Sequence, residues 1–171
     1  AWESGMDNAI RFDDAQMLKN EGYDDAWSFD QERVDLNAYL ALECKLLNKF
    51  ASILGITFDA PDYREQVADY FFDSEMGFFF DKRIKDGTFI KEPGCEAYTP
   101  LWTEVATPEQ VESMLPLLTD TTKFSTYIPF PTIAADNPKY NPKGYWRGPI
   151  WLDQTYFAIR GLRNYGYHEL A

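Results

Sequence analysis

The sequence predicts a mainly α-helical domain that carries a small β-hairpin insertion. Apolar residues recur with a helical period in several long stretches. Those stretches are bounded by cap residues at one end and, in the longest, by glycine at the other. A single short stretch, around Asp86-Gly87, has the turn chemistry of a hairpin. At 171 residues the chain is about one domain in size and long enough to bury a core.

From Asp13 to Asp30 the sequence is polar and contains Gly22, so it reads as loop with at most one helical turn. Ser28 with Gln31 three residues later resembles a capping box, and the spacing predicts a long helix to Leu54 closed by Gly55. Its projected apolar face holds Leu36, Tyr39, Leu40, Leu46, Leu47, Phe50 and Leu54, with Glu43 in the middle. A carboxylate there must be paired, hydrogen-bonded or cation-bound, because burying it alone is costly. Asp59 or Asp62, flanking Pro61, starts a second helix to Asp73 that turns Tyr63, Val67, Tyr70 and Phe71 toward a neighbour. Residues 76–90 form the hairpin. Residues 100–106 suit a short helix, and Thr107-Pro108-Glu109-Gln110 is a capping box that opens a helix to Leu118. Residues 119–148 are rich in proline and irregular, a type of long ordered loop that usually carries function. A last helix runs from Gly148-Pro149 to Tyr165, with Trp151, Leu152, Tyr156, Ile159 and Leu162 on one face and Asp153, Arg160 and Asn164 opposite.

Charge narrows the function. Twenty-eight acidic against sixteen basic residues leave a net charge of −12, which repels phosphate backbones and anionic lipid. Nucleic-acid and membrane partners are therefore not expected. The one histidine, His168, lies near the end of the sequence and is expected at the surface, so neither a His-rich metal site nor a Ser-His-Asp triad is indicated. Cys44 and Cys95 allow one disulfide, and free thiols are the favoured expectation.

Two clusters have chemical potential. Trp2, Glu3, Asp7, Asn8 and Arg11 fall within ten residues; if they are helical, Glu3 and Asp7 lie one turn apart, where each disfavours ionisation of the other. A carboxyl kept protonated in this way can act as a general acid. A solvated acidic helix start would look the same. The second cluster is Asn137, Tyr140, Asn141, Tyr145, Trp146, Arg147 and Trp151. Aromatic faces beside amide and guanidinium groups suit a sugar ring, which offers a C–H face and hydroxyls. Tryptophans that merely anchor a loop to the core fit equally well. Trp102 with Glu104, and Asp35 with Asn37, are weaker pairs of the same kind.

The strings Trp2-Glu3-Ser4-Gly5-Met6-Asp7-Asn8-Ala9-Ile10-Arg11-Phe12, Val34-Asp35-Leu36-Asn37-Ala38-Tyr39, Pro100-Leu101-Trp102 and Gly144-Tyr145-Trp146-Arg147-Gly148-Pro149-Ile150-Trp151 together resemble glycoside hydrolase family 63, and among its members a bacterial α-glucosidase. The resemblance implies part of an (α/α)6 toroid and an inverting hydrolase of α-glucosidic bonds in oligosaccharides. It maps the general acid onto Asp7. Trp2, Glu3, Asn8, Arg11, Trp102, Trp146, Arg147 and Trp151 are then expected to bind sugar or to position Asp7. An inverting mechanism needs a second carboxylate, which in that family lies well downstream of the YWRGPIW string and has no counterpart in this sequence. The chain is accordingly expected to be a slice of one catalytic domain, partnered by the remaining segments of the same enzyme and inactive alone. The resemblance also implies an exported, periplasmic protein and leaves a structural calcium open, with no metal ligand assigned. A trehalase-like or mannosidase-like hydrolase on the same toroid, and a non-catalytic carbohydrate-binding or scaffold module, remain open.

Overall fold

The computed structural model of the chain describes residues 4–171. Among them, regular structure is dominated by α1 (Val34–Leu54), α2 (Arg64–Phe71), α3 (Tyr98–Trp102), α4 (Pro108–Thr119) and α5 (Leu152–Asn164). Two antiparallel hairpins accompany the helices: β1 (Met17–Lys19) with β2 (Trp27–Phe29), and β3 (Phe72–Asp73) with β4 (Phe78–Phe79). Helix α1 packs on α2 and α3, and α3 packs on α5.

Helix α1 begins later than the Ser28–Gln31 pattern predicts. Ser28 lies in β2 and donates to the side chain of Asn20, so it is not available as a cap. The cap comes from far along the chain: the Val34 N–H donates to Oδ1 of Asp81 at 2.8 Å. The far end is as expected, with Gly55 in the left-handed region at φ 66°.

The buried side of α1 also differs from the projection. Val34, Asp35, Ala38, Ala41 and Ala51 are buried, whereas Leu36, Leu40, Leu46, Leu47, Phe50 and Leu54 remain 38 to 69 % exposed. Small alanines let neighbouring backbones come close, so they form the contact with α2 and α3. The bulky leucines, which dominate a hydrophobicity projection, face outward. Glu43 is exposed with them, which removes the need for a partner or a bound cation.

The expected hairpin is only part of the β structure. The Asp86-Gly87 turn exists, with Gly87 N–H donating to Arg83 O at 2.9 Å and an antiparallel bridge between Lys82 and Phe89. The regular strands, however, lie earlier, at β3 and β4. Residues 13–30, expected as loop, contain β1 and β2 in the register Met17↔Phe29 and Lys19↔Trp27. Strands of three mostly exposed residues leave too short an alternation to recognise.

Helix α4 has the predicted capping box: Gln110 N–H donates to Thr107 Oγ1 at 3.2 Å and Thr107 N–H to Gln110 Oε1 at 2.9 Å. Helix α3 is shifted toward the N-terminus from the expected 100–106. Helix α5 starts after Trp151 rather than at Pro149, and it buries Gln154, Ala158, Gly161 and Leu162 while Leu152 and Tyr156 stay exposed. Gly161 is required by the packing, since a Cβ there would lie 2.5 Å from Cβ of Leu101 in α3.

The irregular segment after α4 is fastened to an aromatic core. Phe124 stacks on Phe78 at 5.6 Å between ring centroids, and Tyr98 meets Phe124 and Phe130 edge-on. The Tyr98 hydroxyl donates to Pro131 O at 2.9 Å. Each fully buried Phe of this kind contributes roughly 1.5–3 kcal/mol. The segment thus holds a fixed course to Tyr145–Trp151 without regular structure.

Candidate active site

Asp7 is exposed in a turn, between Met6, which is buried, and Asn8. Both neighbours are held. Met6 Sδ accepts from Arg11 Nη2 at 3.2 Å. Asn8 is bound on both sides of its amide to the proline-rich segment: Nδ2 donates to Gly144 O and Oδ1 accepts from Trp146 N–H, each at 2.9 Å. The described part of the first cluster, residues 4–12, is a series of turns ending in a 3-10 turn at Ile10–Phe12 and not the α-helix that would stack Glu3 over Asp7. Trp2 and Glu3 themselves lie outside the described residues.

The second cluster meets the first at Asn8. Trp146 and Trp151 stack with ring centroids 4.1 Å apart and planes 7° from parallel. Tyr145 packs edge-on against Trp151, whose Nε1 donates to Tyr145 O at 2.9 Å. Trp146 is buried and anchors the loop; its Nε1 is buried with no acceptor. Trp151 is half-buried and Tyr145 is 48 % exposed, so these two give the stack its open aromatic side. Trp146 therefore fits the loop-anchor reading, while Trp151 keeps part of its ring open.

Arg147 and Arg11 are spent on carboxylates. Arg147 Nη1 and Nη2 donate to Asp13 at 2.7 and 2.9 Å, and Nη1 also to Asn8 O at 3.1 Å. These bonds, with Lys139, lower the Asp13 pKa to about 2. Arg11 is expected from the sequence to touch sugar or to position Asp7; at 3 % exposure it is buried away from any ligand. Its guanidinium donates to Asp35 at 2.7 Å and Asp81 at 2.9 Å, and its Nε lies 4.0 Å from Glu96. Burial alone raises the Asp35 pKa, but Arg11 and Arg33 outweigh it and hold that carboxyl well below the usual range. Trp102 belongs to a separate ring group: it lies 4.6 Å from Phe157 and 6.1 Å from Tyr39.

Sequence patterns do not point to Asp81 or Glu96, nor to Tyr39 outside its apolar face. Asp81 ends the buried run Phe78-Phe79-Phe80, and Glu96 stands between buried Cys95 and Ala97. A carboxylate closing an apolar run is the available signal. Tyr39 lies within electrostatic reach of Asp35 and of Asp153 in α5, and burial raises its pKa. The first turns of α1 and α5 are thus brought to one end of the molecule with the Asp7 segment.

Beside Ser4 opens a cleft of about 620 Å³, with Trp27, Phe29, Gln31, Arg33 and Leu36 on its walls. Gln31 Oε1 is buried there without a donor. Among the described residues no group of three or more His, Cys, Asp or Glu side chains is arranged to hold a metal ion, and no helix is long and apolar enough to cross a membrane. Cys44 and Cys95 are both free thiols, and His168 is exposed.

The chain is thus mainly helical with small hairpins, and it sets an exposed carboxyl, held between anchors, next to the segment that carries an aromatic stack. The family model of the mannosylglycerate hydrolase MGH1-like glycoside hydrolase domain matches residues 1–171, and the chain belongs to that family. It is 26 % identical to a mannosylglycerate hydrolase of Selaginella moellendorffii over 99 % of its own length and 45 % of the relative's. It is 29 % identical to the mannosylglycerate hydrolase of Thermus thermophilus over 58 % of the chain and 24 % of that protein. The crystal structure of a family 63 mannosylglycerate hydrolase from Thermus thermophilus, in complex with Tris, superposes with a TM-score of 0.70 at 21 % identity, over 82 % of this chain and 34 % of that one. The neutral trehalase of Saccharomyces cerevisiae superposes with a TM-score of 0.60 at 23 % identity, over 81 % and 28 %. The fold is thus shared with toroid enzymes of family 63 and of the trehalases, and the chain spans less than half the length of these relatives. Mannosylglycerate hydrolases therefore replace the α-glucosidase as the point of reference within the family.

Proposed function

We propose that this chain supplies the general acid and part of the sugar-binding wall of an inverting glycoside hydrolase, acting on a small α-hexoside of the mannosylglycerate kind. The observation that carries the reading is the placement of Asp7, solvent-exposed while the residues before and after it are fastened to the core and to the Trp146–Trp151 loop. A proton donor has to reach the departing oxygen yet hold its position to within a fraction of an ångström. Tyr145 and Trp151 offer rings for the C–H face of a sugar. Arg33 on the wall of the neighbouring cleft is already paired with Asp35, so the preference for mannosylglycerate over neutral oligosaccharides rests on the named relatives. The general base, about 6.5 to 9.5 Å from the acid in an inverting site, comes from outside these 171 residues. The chain is then one part of a single toroidal catalytic domain.

The test uses the full-length protein that contains this chain. Mannosylglycerate and α-linked glucosides are offered side by side, and the anomer first released is read by NMR. Mannosylglycerate should be hydrolysed faster and with inversion, and Asp7→Asn should slow turnover on the order of 10³-fold while sugar binding persists. Faster cleavage of α-glucosides would return the substrate to the wider glucosidase class. Binding without any cleavage would mark a non-catalytic module, and an active Asp7→Asn enzyme would remove Asp7 from the chemistry.

A further inference from the structure

The buried charges around Arg11 do not balance by themselves. Asp35, Asp81 and Glu96 converge on one guanidinium, and all four side chains are 5 % exposed or less. Hydrogen bonding separates the carboxylates. Asp35 accepts from Arg11, from Arg33 twice and from Leu36 N–H. Asp81 accepts from Arg11, Gln31 Nε2 and Val34 N–H. Among the described residues Glu96 has its own backbone N–H and, at 4.0 Å and beyond hydrogen-bonding distance, Arg11 Nε, which is itself buried with no acceptor. A buried anion with so few donors is the costly member of the set and the one that a proton relieves.

We propose that Glu96 is a positioning residue: it carries the proton that lets three buried carboxylates share Arg11, and in doing so it holds the Asp7-bearing segment in place. The mechanical link is short. Arg11 grips Met6, the residue before Asp7, and Asp81 caps α1 at Val34, so disturbing the cluster disturbs both. Glu96 is faced by Arg11 from the 3-10 turn, by Asp81 after β4, by Asp35 from α1, and by Cys95 and Tyr98 from its own stretch. Burial, reinforced by Asp81 and Asp35 and opposed by Arg11, raises its pKa to about 8. Burial pushes Asp81 up as well, but its three donors keep the proton preference on Glu96. When Glu96 ionises, three carboxylates outnumber Arg11 and Arg33, one negative charge is left uncompensated, and the grip on the segment loosens.

The sign follows from linkage. A carboxyl whose pKa is higher folded than unfolded gives stability that is complete below the ordinary value near 4.5, and that is lost as pH rises through about 8. The inference rests on Asp7 being the acid, but one measurement does not. In the full-length protein, amide hydrogen exchange of residues 6–12, corrected for intrinsic rates, should show protection falling as pH rises from about 5 to about 8 and levelling above that. In Glu96→Gln, which keeps a neutral carboxamide at every pH, that fall should be absent, and the alkaline limb of turnover should move up by at least about one pH unit. Protection that ignores pH in the wild-type protein overturns the proposal even if the variant does not fold. A fall equal in wild type and Glu96→Gln overturns it too. A protection change that depends on Glu96, with no movement of the alkaline limb, upholds the positioning role and tells against Asp7 as the acid, which Asp7→Asn measures separately.

Discussion

Asn8 does more for the candidate site than any other polar side chain described in the first cluster. Its amide bonds twice to the segment that bears Trp146 and Trp151, across 136 and 138 residues of sequence. Asn8→Asp keeps the acceptor but replaces the donor to Gly144 O with an anion, so the two parts of the site should separate. In the full-length enzyme turnover should fall roughly tenfold or more, since misplacing a catalytic group is costly. Melting temperature should change little, because both bonds are near the surface. An equal loss through unfolding alone would show Asn8 to be a scaffold residue. Arg147 belongs to the same joint through Asp13. Neither role can be read from the strings of residues: an amide, a guanidinium and two indoles suggest sugar contact whether they touch ligand or one another.

Helix ends are legible in the sequence where the cap is local, and helix faces are less so. Thr107 and Gln110 form the expected reciprocal cap because a capping box is local, needing nothing beyond four residues. Thr107→Ala should therefore cost about 1 kcal/mol, measurable by denaturant unfolding, with no change in the fold. Ser28 and Gln31 present the same pattern, yet Ser28 is drawn into a strand and α1 is capped by Asp81, a partner no local rule can supply. Likewise, alanine and glycine carry the contacts of α1 and α5. Projection weights side chains by hydrophobicity, whereas close helix packing rewards small ones. The hairpin at residues 17–29 leaves little trace in the sequence because its strands are short and lack a buried face. Within the site, the exposed carboxyl and the aromatic group are legible by residue type and by resemblance. Asp81 and Glu96 beside Arg11 are not, since they reach it from separate stretches of the chain.

The molecule as a whole leaves a large apolar surface uncovered. Leu36, Leu40, Leu47, Phe50, Ile53 and Leu54 of α1 are each more than 40 % exposed, and Ile56 and Phe58 continue the patch. Contiguous apolar area of this extent marks an interaction surface rather than a solvated one. The relatives are more than twice as long as the chain, and the function proposed above implies that another part of the same toroid covers this face. The 171-residue chain made alone should self-associate or bind a hydrophobic dye strongly, as read by light scattering and dye fluorescence. A stable, monodisperse monomer would contradict this.

The bonds from Asn8 to Gly144 and Trp146 also set an order of events during synthesis. Asn8 leaves the ribosome long before its partners exist, so the acid-bearing turn waits, unfastened, while more than a hundred further residues are made. Contacts so distant in sequence close late and slowly. A nascent chain stopped anywhere before the YWRGPIW string can collapse around its phenylalanines but cannot fasten the Asp7 turn to the Trp146–Trp151 loop.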